Sequence, residues 1–397
     1  MDTEMMQWIS QHRNDDTSRL LLRYHGQDWI SQAVTQIICR RRCTGKIPSF
    51  LSHETFMFPH SLSAEQCTSE RVAAFHASLI AKGSHVLDMT AGLGIDAMTM
   101  AASGCNVVAI EKNQDAAYAL RHNAKALGLK TIDVINADSV EWLSKNSENH
   151  FDYIFIDPAR RDSHGGRMRA FSDCEPDVCQ LLPTLLQNAP TIVVKASPML
   201  DITKTIAELG SSAEEGCVER ICAVGTETEC KEILAVVGRG KSRPNVEAIT
   251  LLNDGRISEV KATTSVPQLL TSEPKEGMWL YEPYPSVMKL MNRFSPADKS
   301  LYKLDRDTNL YISEGYVTDF PGIAMSIEKI EDFNDKNLKK FGKECGKANV
   351  ATRNFIISAP ELVKRLRIKE GGTKRIYGSR INGRLKLIQT APPETKR

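Results

Sequence analysis

Apolar residues near the N-terminus recur at the spacing of one face of an α-helix. A cluster of three arginines, at positions 40–42, follows this pattern directly. The pattern predicts an N-terminal helical region over residues 1–60, with the arginines at a helix end. The residues that carry the helical period are Trp29, Ile30, Ala33, Val34, Ile37 and Ile38.

Short runs of β-branched and apolar residues replace the helical pattern after residue 60. Amphipathic segments separate the first five of these runs, an alternation that predicts parallel β-α-β units. Handedness rules then give a doubly wound α/β sheet over residues 61–238. Two later runs, at 218–224 and 232–237, have no helix between them and predict an antiparallel pair. The five strand candidates are residues 85–88, 106–110, 131–134, 153–156 and 191–194.

A stretch rich in glycine, proline and charge at 238–244 predicts a domain boundary. Beyond it, residues 245–330 mix short strands and helices, which predicts a small α+β domain. Residues 331–397 begin with a charged helix and form a basic C-terminal part. A length of 397 residues is enough for several domains, each with its own core.

Composition narrows the function classes only a little. The sequence has no apolar run long enough for a membrane span and no signal-peptide pattern, so we expect a soluble cytoplasmic protein. Its ten cysteines include no Cys-x-x-Cys pair and lack the histidine partners of a zinc site. We therefore expect buried thiols and no bound metal. A net charge of +2 means that any nucleic-acid binding must come from local charge clusters.

The main chemical signal is a glycine turn between the first predicted strand and the following helix. The sequence Asp-Met-Thr-Ala-Gly-Leu-Gly-Ile-Asp occupies positions 88–96. Glycine lets the backbone approach a ligand closely, and the N-terminus of the helix presents N–H groups to that ligand. We expect a cofactor crevice at the carboxyl ends of the strands. Its predicted contacts from this turn are Asp88, Thr90, Gly92, Gly94 and Asp96.

The glycine pattern alone also fits a dinucleotide site, but Asp88 argues against that alternative. A carboxylate at this position would repel a phosphate, whereas it can pair with the methionyl ammonium of S-adenosylmethionine (SAM). Glu111, at the end of the second strand, can accept hydrogen bonds from ribose hydroxyls, and Lys112 follows it. Asp138 and Ser139 follow the third strand, where an acid can bind the adenine amino group. We expect all of these side chains to line one crevice.

Asp157 and Pro158 form the candidate catalytic turn after the fourth strand. The amine of a nucleobase is a poor nucleophile because its lone pair is delocalised into the ring. A carboxylate that accepts a hydrogen bond from this amine can orient it and take its proton. We therefore expect Asp157 to be catalytic, in a rigid turn with Pro158, and Arg160 to contact a base or a phosphate.

These motifs resemble those of class I SAM-dependent methyltransferases that act on RNA. The turn at 88–94 is similar to the opening motif of bacterial rRNA guanine-N2 methyltransferases, and Cys-Thr-Ser-Glu at 67–70 resembles a segment of cap guanine-N2 methyltransferases. Asp-Pro-Ala-Arg-Arg at 157–161 and Lys-x-x-Pro-x-x-Asp at 195–201 resemble the bacterial family of methyltransferases with a THUMP-like domain. The resemblance implies a Rossmann-like methyltransferase core, a ferredoxin-like domain at 245–330 and a THUMP-like RNA-binding domain at 331–397.

Two departures from related methyltransferases affect the predicted chemistry. Amine methyltransferases usually carry Asn/Asp-Pro-Pro and an aromatic residue, whereas Ala159 and Arg160 stand at the last two places here. The uracil-C5 enzymes use a cysteine nucleophile after the fifth strand, and Ala196 occupies that place. Covalent attack on a pyrimidine needs a thiolate, so we exclude that reaction.

The C-terminal part holds the strongest local excess of positive charge. Residues 350–386 contain ten Lys and Arg against two Glu, which predicts contacts to RNA phosphates. A basic loop at 164–169 is a second candidate for contact with a nucleotide. Three alternatives stay open: methylation of a protein or a small molecule, an RNA-binding protein without catalysis, and a solvated basic surface. The predicted RNA-binding residues are Arg353, Lys364, Arg365, Arg367, Lys374, Arg375 and Arg380.

Overall fold

The computed structural model describes residues 3–160, 171–213, 216–240 and 243–393. The chain divides into two compact units. The first comprises Met1–Ile221 and Glu232–Pro244, and the second comprises Cys222–Lys231 and Asn245–Arg397. The division therefore runs through the antiparallel strands that the sequence places before residue 238.

Helices make up the N-terminal part of the first unit, as the apolar period predicts. They are α1 (Thr3–Gln11), α2 (Thr17–Arg23), α3 (Ile30–Cys43), α4 (Pro48–Leu51), α5 (Ser61–Gln66) and α6 (Glu70–Ser78). The apolar faces of α1, α2 and α3 form one core cluster, which contains Met5, Ile9, Leu20, Ile30, Ala33, Val34 and Ile37. Two of the three arginines bind backbone carbonyls: Arg40 donates to Glu54 and Phe56, and Arg41 donates to Arg13 and Asp15. The structure therefore uses both side chains to hold loops.

The segment that follows α4 lies between two buried amide side chains. Gln36 Nε2 donates to the Phe58 carbonyl at 2.7 Å, and the Phe58 N–H donates back to Gln36 Oε1 at 3.0 Å. Asn123 makes the same pair of bonds with Met57, at 2.9 and 2.8 Å. Each amide thus satisfies a buried backbone donor and acceptor, as a neighbouring strand would.

Strands and helices alternate through the rest of the first unit. They are β1 (His85–Asp88), α7 (Ile95–Ala102), β2 (Asn106–Glu111), α8 (Gln114–Ala126), β3 (Ile132–Asn136), α9 (Ser139–Lys145), β4 (Tyr153–Ile156), β5 (Ala159–Arg160), β6 (Cys174–Glu175), α10 (Val178–Asn188), β7 (Thr191–Ala196), α11 (Ile202–Ser211), β8 (Gly216–Thr226) and β9 (Cys230–Arg239). The predicted doubly wound α/β sheet is confirmed.

The sheet reverses its direction of winding at its centre. From β8 to β3 its strands follow the order β8-β9-β7-β4-β1-β2-β3, and the pairs from β7 to β3 are parallel. Strand β9 pairs antiparallel with β7. The two runs with no helix between them, β8 and β9, are neighbours in the sheet, as their sequence predicts. Because β1 is followed in sequence by β2 on one side and flanked by β4 on the other, a crevice opens beyond its carboxyl end.

Within the described residues, the second unit contains a seven-stranded sheet, the antiparallel strand pair β10–β11 and three α-helices. Its elements are β10 (Asn245–Leu251), β11 (Ile257–Lys261), β12 (Trp279–Pro283), α12 (Pro285–Met288), β13 (Tyr302–Asp305), β14 (Thr308–Ser313), β15 (Gly322–Asp332), α13 (Asp335–Cys345), β16 (Lys347–Arg353), α14 (Ala359–Leu366), β17 (Lys369–Ile381) and β18 (Arg384–Ala391). The sheet order is β13-β14-β12-β15-β18-β17-β16. The domain boundary predicted between residues 330 and 331 falls inside β15, which ends at Asp332.

The glycine turn between β1 and α7 depends on close packing as well as on backbone freedom. Gly94 has a φ of +83° and precedes the first residue of α7. A Cβ at this position would lie 2.0 Å from Leu120 Cδ1 on α8. The absence of a side chain therefore lets α8 lie against the turn.

We expect Gly94→Ala to destabilise the first unit by about 2 to 4 kcal/mol, because it adds a steric clash to a strained φ. Gly104→Ala is the matched control, since Gly104 has a φ of +97° and no atom within 4 Å of an added Cβ. Gly104→Ala should lower the free energy of unfolding by only about 1 kcal/mol. Urea denaturation of both variants tests this, and equal losses would contradict the packing argument.

Candidate active site

The turn after β1 is fixed by hydrogen bonds to both neighbouring strands. The Met89 N–H donates to the Phe155 carbonyl on β4, and the Ala91 N–H donates to the Ile110 carbonyl on β2, both at 3.0 Å. Gly92, with a φ of +55°, donates its N–H to Glu111 Oε2 at 2.7 Å. The turn therefore lies at the carboxyl ends of three parallel strands.

Asp88 is buried at the end of β1, with 1% of its surface exposed. Its Oδ1 accepts a hydrogen bond from the Thr90 N–H at 3.0 Å. Burial raises the pKa of the Asp88 carboxyl to about 8, against the lowering effect of this bond. Below that pH the group is mostly neutral, so a positively charged group that bound beside it would favour release of its proton.

The predicted ribose and adenine contacts lie on the β2 and β3 side of the turn. Glu111 accepts the N–H of Gly92 with one oxygen and the N–H of Asn113 with the other. Asp138 caps α9, where its Oδ1 accepts the N–H groups of Val140 and Glu141. Its other oxygen lies 3.1 Å from Lys112 Nζ. Ser139, which is buried, is the first residue of this helix.

Asp157 follows β4 and is held from two directions. Its N–H donates to Thr90 Oγ1 at 2.7 Å, and its Oδ2 accepts a hydrogen bond from Lys195 Nζ at 2.6 Å. Its side chain is 39% exposed, whereas that of Lys195 is 13% exposed. Burial raises the pKa of Asp157, and the Lys195 ammonium acts against this rise. Pro158, which is buried, follows directly.

The chain leaves the main sheet after Pro158. Ala159 and Arg160 form β5, which pairs antiparallel with Cys174 and Glu175 of β6. The basic loop predicted at 164–169 lies outside the described residues. The backbone of Arg160 therefore lies next to the candidate catalytic turn, and its contact with a base or phosphate stays a prediction.

Lys195 belongs to a closed ring of side chains from five parts of the first unit. Its Nζ donates to Thr68 Oγ1 at 3.1 Å and lies 4.0 Å from Glu232 Oε2. Thr68 Oγ1 donates to Asp96 Oδ2 at 2.5 Å. His76 closes the ring, with Nδ1 2.8 Å from Asp96 Oδ1 and Nε2 against Glu232 Oε1.

Charges alternate around this ring. Burial alone would lower the pKa of His76, but the adjacent Glu232 and Asp96 raise it to about 10. Burial would raise the pKa of Asp96, and the charges and hydrogen bonds of its neighbours, chiefly His76, lower it to about 2. For Lys195, nearby acids outweigh burial and raise the pKa. The ring therefore contains two acids and two cations, all mostly buried.

Sequence reasoning placed Asp96 among the cofactor contacts, whereas both of its carboxylate oxygens are bound within the ring. It missed His76 and Glu232 altogether. The only sequence signals for them are a charged residue within the apolar run 232–237 and a histidine on a helix, and neither indicates a partner. Their contact joins residues 156 positions apart.

Several cations predicted to bind RNA have acidic partners inside the second unit. Arg353 and Arg375 both pair with Glu282, which is 5% exposed. Lys374 pairs with Glu328 at 2.7 Å, and Arg365 pairs with Glu361 at 2.9 Å. Arg380 Nη1 donates to the Gly383 carbonyl at 3.0 Å. Lys364 and Arg367 are exposed and, among the described residues, make no ion pair.

The described parts of the chain contain neither a candidate metal-binding group nor a membrane-spanning helix. No group of three or more His, Cys, Asp or Glu side chains there is arranged to hold a metal ion. No helix there is both long enough and apolar enough to cross a bilayer.

The unfolding free energy of the first unit should fall as the pH rises from 6.5 to 8. In an unfolded chain, Asp deprotonates near pH 4 and His near pH 6.5, whereas the pKa values of folded Asp88 and His76 are about 8 and about 10. The folded state therefore holds more protons in this window. Each such group lowers the free energy of unfolding by up to about 1.4 kcal/mol for each unit that the pH rises.

Hydrogen exchange of the β1 and β4 amides, corrected for intrinsic rates, measures this slope. Asp88→Asn should reduce it by about half, because one of the two groups is removed. His85→Gln, at an exposed position, should leave the slope unchanged. A stability that is constant or rises with pH would contradict both raised pKa values.

Comparison with known protein families gives three matches along the chain. A family described as "Conserved hypothetical protein 95" matches residues 68–213. A ferredoxin-like domain matches residues 279–321, and a THUMP domain-like family matches residues 324–392. The first range contains the glycine turn and Asp157, and the other two lie within the second unit.

Curated relatives resemble the first of these ranges. Ribosomal RNA small subunit methyltransferase J of Coxiella burnetii is 33% identical over 132 residues, which are 29% of this chain and 50% of that protein. Ribosomal RNA small subunit methyltransferase D of Buchnera aphidicola is 35% identical over 80 residues, which are 19% of this chain and 41% of that protein. The chain thus spans half or less of the length of these relatives.

A solved structure matches nearly the whole chain. It is a protein from Porphyromonas gingivalis W83, described as a candidate methyltransferase, with 27% identity and a TM-score of 0.82. The match covers 99% of this chain and 100% of that protein. The resemblance predicted from the sequence, to class I methyltransferases that carry ferredoxin-like and THUMP-like parts, is thereby confirmed.

Proposed function

We propose that this chain is a SAM-dependent methyltransferase that modifies an exocyclic amine of a base in RNA, with guanine N2 favoured. The observation that carries the proposal is the Asp157 carboxylate, partly exposed beside the β1 turn with one oxygen bound by Lys195. The names of the curated relatives support RNA as the substrate class. The resemblance to guanine-N2 methyltransferases supports the choice of atom.

The residues of the β1 turn fit SAM. Gly92 leaves room at the turn, Gly94 lets α8 lie against it, and the buried Asp88 offers a carboxylate to an ammonium group. Glu111 has two carboxylate oxygens that can accept hydrogen bonds from the two ribose hydroxyls. Asp138 can accept a hydrogen bond from the adenine amino group. When bound, SAM supplies a methyl group on a positively charged sulfur.

Asp157 has the properties needed to orient an amine. Lys195 binds Oδ2, which leaves Oδ1 for an N–H of the acceptor base. A carboxylate in this position aligns the amine and takes its proton as positive charge develops on the nitrogen. The Thr90 hydroxyl fixes the backbone of Asp157 through the bond to its N–H, so the carboxylate is presented from a rigid turn.

For RNA binding, the exposed cations around the end of α14 are the best candidates in the second unit. Lys364, Arg367 and Lys369 lie within six residues of one another and are all exposed. They are available to phosphates without the loss of an internal ion pair. Contacts from Arg353 and Arg375 would instead compete with buried Glu282.

SAM binding at pH 7 should release a proton from Asp88. The pKa of the free carboxyl is about 8, and pairing with an ammonium favours the ionised form. Calorimetry in two buffers of different ionisation enthalpy measures the release. Asp88→Asn should abolish it and weaken binding by roughly tenfold, whereas the exposed Asp133→Asn should change neither. Equal proton release by wild type and Asp88→Asn would exclude this role for Asp88.

Purified protein should transfer labelled methyl groups from SAM to RNA taken from a strain that lacks the protein. Mass spectrometry of the nucleosides should identify one exocyclic-amine product. Asp157→Ala should reduce transfer by about 100-fold or more, because orientation and proton acceptance are both lost. Asp133→Ala is the control for a general effect of losing an acid.

The result also separates the remaining alternatives. Label in a ring carbon or a ribose would overturn the amine proposal while keeping the enzyme class. An absence of RNA labelling despite SAM binding would overturn RNA as the substrate. Labelling of added protein or small-molecule extracts would then identify another acceptor class.

A further inference from the structure

The ring formed by Thr68, Asp96, His76, Glu232 and Lys195 has features that a structural ion pair does not need. It closes on itself, so each member has two neighbours within the ring. Its residues come from the segment before α6 and from α6, α7, β7 and β9. A single salt bridge would join two of these elements. The ring joins all five, and Lys195 connects it to Asp157.

His76 must donate from both ring nitrogens to satisfy the observed contacts. Nδ1 faces an oxygen of Asp96 and Nε2 faces an oxygen of Glu232, and a carboxylate oxygen is an acceptor. A neutral imidazole would direct a lone pair at one carboxylate. The geometry therefore fits an imidazolium between two carboxylates, and the side chain is fully buried.

Among the described residues, charge neutrality inside the ring leaves Asp157 without a cation of its own. Asp96 and Glu232 are matched by His76 and Lys195. Asp157 is attached to this neutral ring through Lys195 alone, at 2.6 Å. The acids that influence it electrostatically include Asp96 and Glu232. The ring thus fixes the ammonium that determines where the Asp157 carboxylate points.

We propose that this ring is a positioning device for Asp157, in which an imidazolium at His76 holds Glu232, and Glu232 and Thr68 hold Lys195. In this arrangement Lys195 binds one oxygen of Asp157 and presents the other to the acceptor amine. His76 and Glu232 are positioning residues that act through Lys195. The inference rests on the proposed methyltransferase function only in its last step, the contact with the amine.

Nuclear magnetic resonance tests the ring without any assay of activity. The nitrogen shifts of His76 should be those of a doubly protonated ring from pH 6.5 to 8.5, and Glu232→Gln should lower the pH at which the proton is lost. Lys195→Met should make Asp157 take up its proton at least about one pH unit higher than in wild type. If the other variants fail to fold, Glu232→Gln still tests the ring, because it keeps the shape of the side chain. A neutral His76, or an unchanged Asp157 titration, overturns the proposal.

Kinetics then tests the effect on catalysis. Lys195→Met should reduce kcat for RNA by about 100-fold and Glu232→Gln by about tenfold, since misplacement of the carboxylate affects the chemical step. The dissociation constant for SAM should change less than about threefold, and Lys195→Arg should restore part of the rate. Lys204→Met, on the exposed side of α11, is the control.

The two proposals fail in different ways. If the resonances behave as expected but wild type methylates no RNA, the proposed function is overturned and the ring stands. If wild type methylates RNA and Lys195→Met does so at the same rate, the positioning role is overturned and the function stands.

Discussion

Burial of several carboxylates at the carboxyl ends of the central strands is the constraint on which the first unit depends. Asp88, Asp96 and Glu232 come together there, all mostly buried, beside the partly exposed Asp157, whereas the ring supplies only the cations of His76 and Lys195. Removing one partner of a buried ion pair costs about 3 to 5 kcal/mol. Helix α6, which carries His76, and strand β7, which carries Lys195, are therefore needed for charge balance as well as for packing.

This constraint also explains how the protein combines a stable fold with a reactive site. Charges that alternate around a closed ring satisfy one another, so they do not require water. Within the part of the chain that the structure describes, the remaining acids, Asp88 and Asp157, lack a complete set of cationic partners, and burial raises the pKa of each. Both lie where the sequence motifs predict contact with a positively charged cofactor and with an amine.

How much of this could be read from the sequence depends on the range of each interaction. Strands 85–88 and 153–156 have the bounds that the apolar pattern predicts, because local periodicity determines them. The partners of His76 could not be predicted, since they come together only when distant parts of the chain fold. The same limit applies to the basic C-terminal part. A count of charges does not reveal that Arg353 and Arg375 share a buried acid 71 and 93 residues away.

The two buried amides that bind Met57 and Phe58 have a consequence for protein engineering. Gln36 lies on an N-terminal helix and Asn123 on a helix of the Rossmann-like sheet, and the strand-like segment between them is bonded to both. A shortened protein that began at residue 61 would leave the Asn123 amide without either of these partners, and each unsatisfied group that stayed buried would cost about 1 to 3 kcal/mol. The N-terminal helices and the α/β sheet are thus tied together through this segment, and a graft of the sheet onto another carrier has to include it.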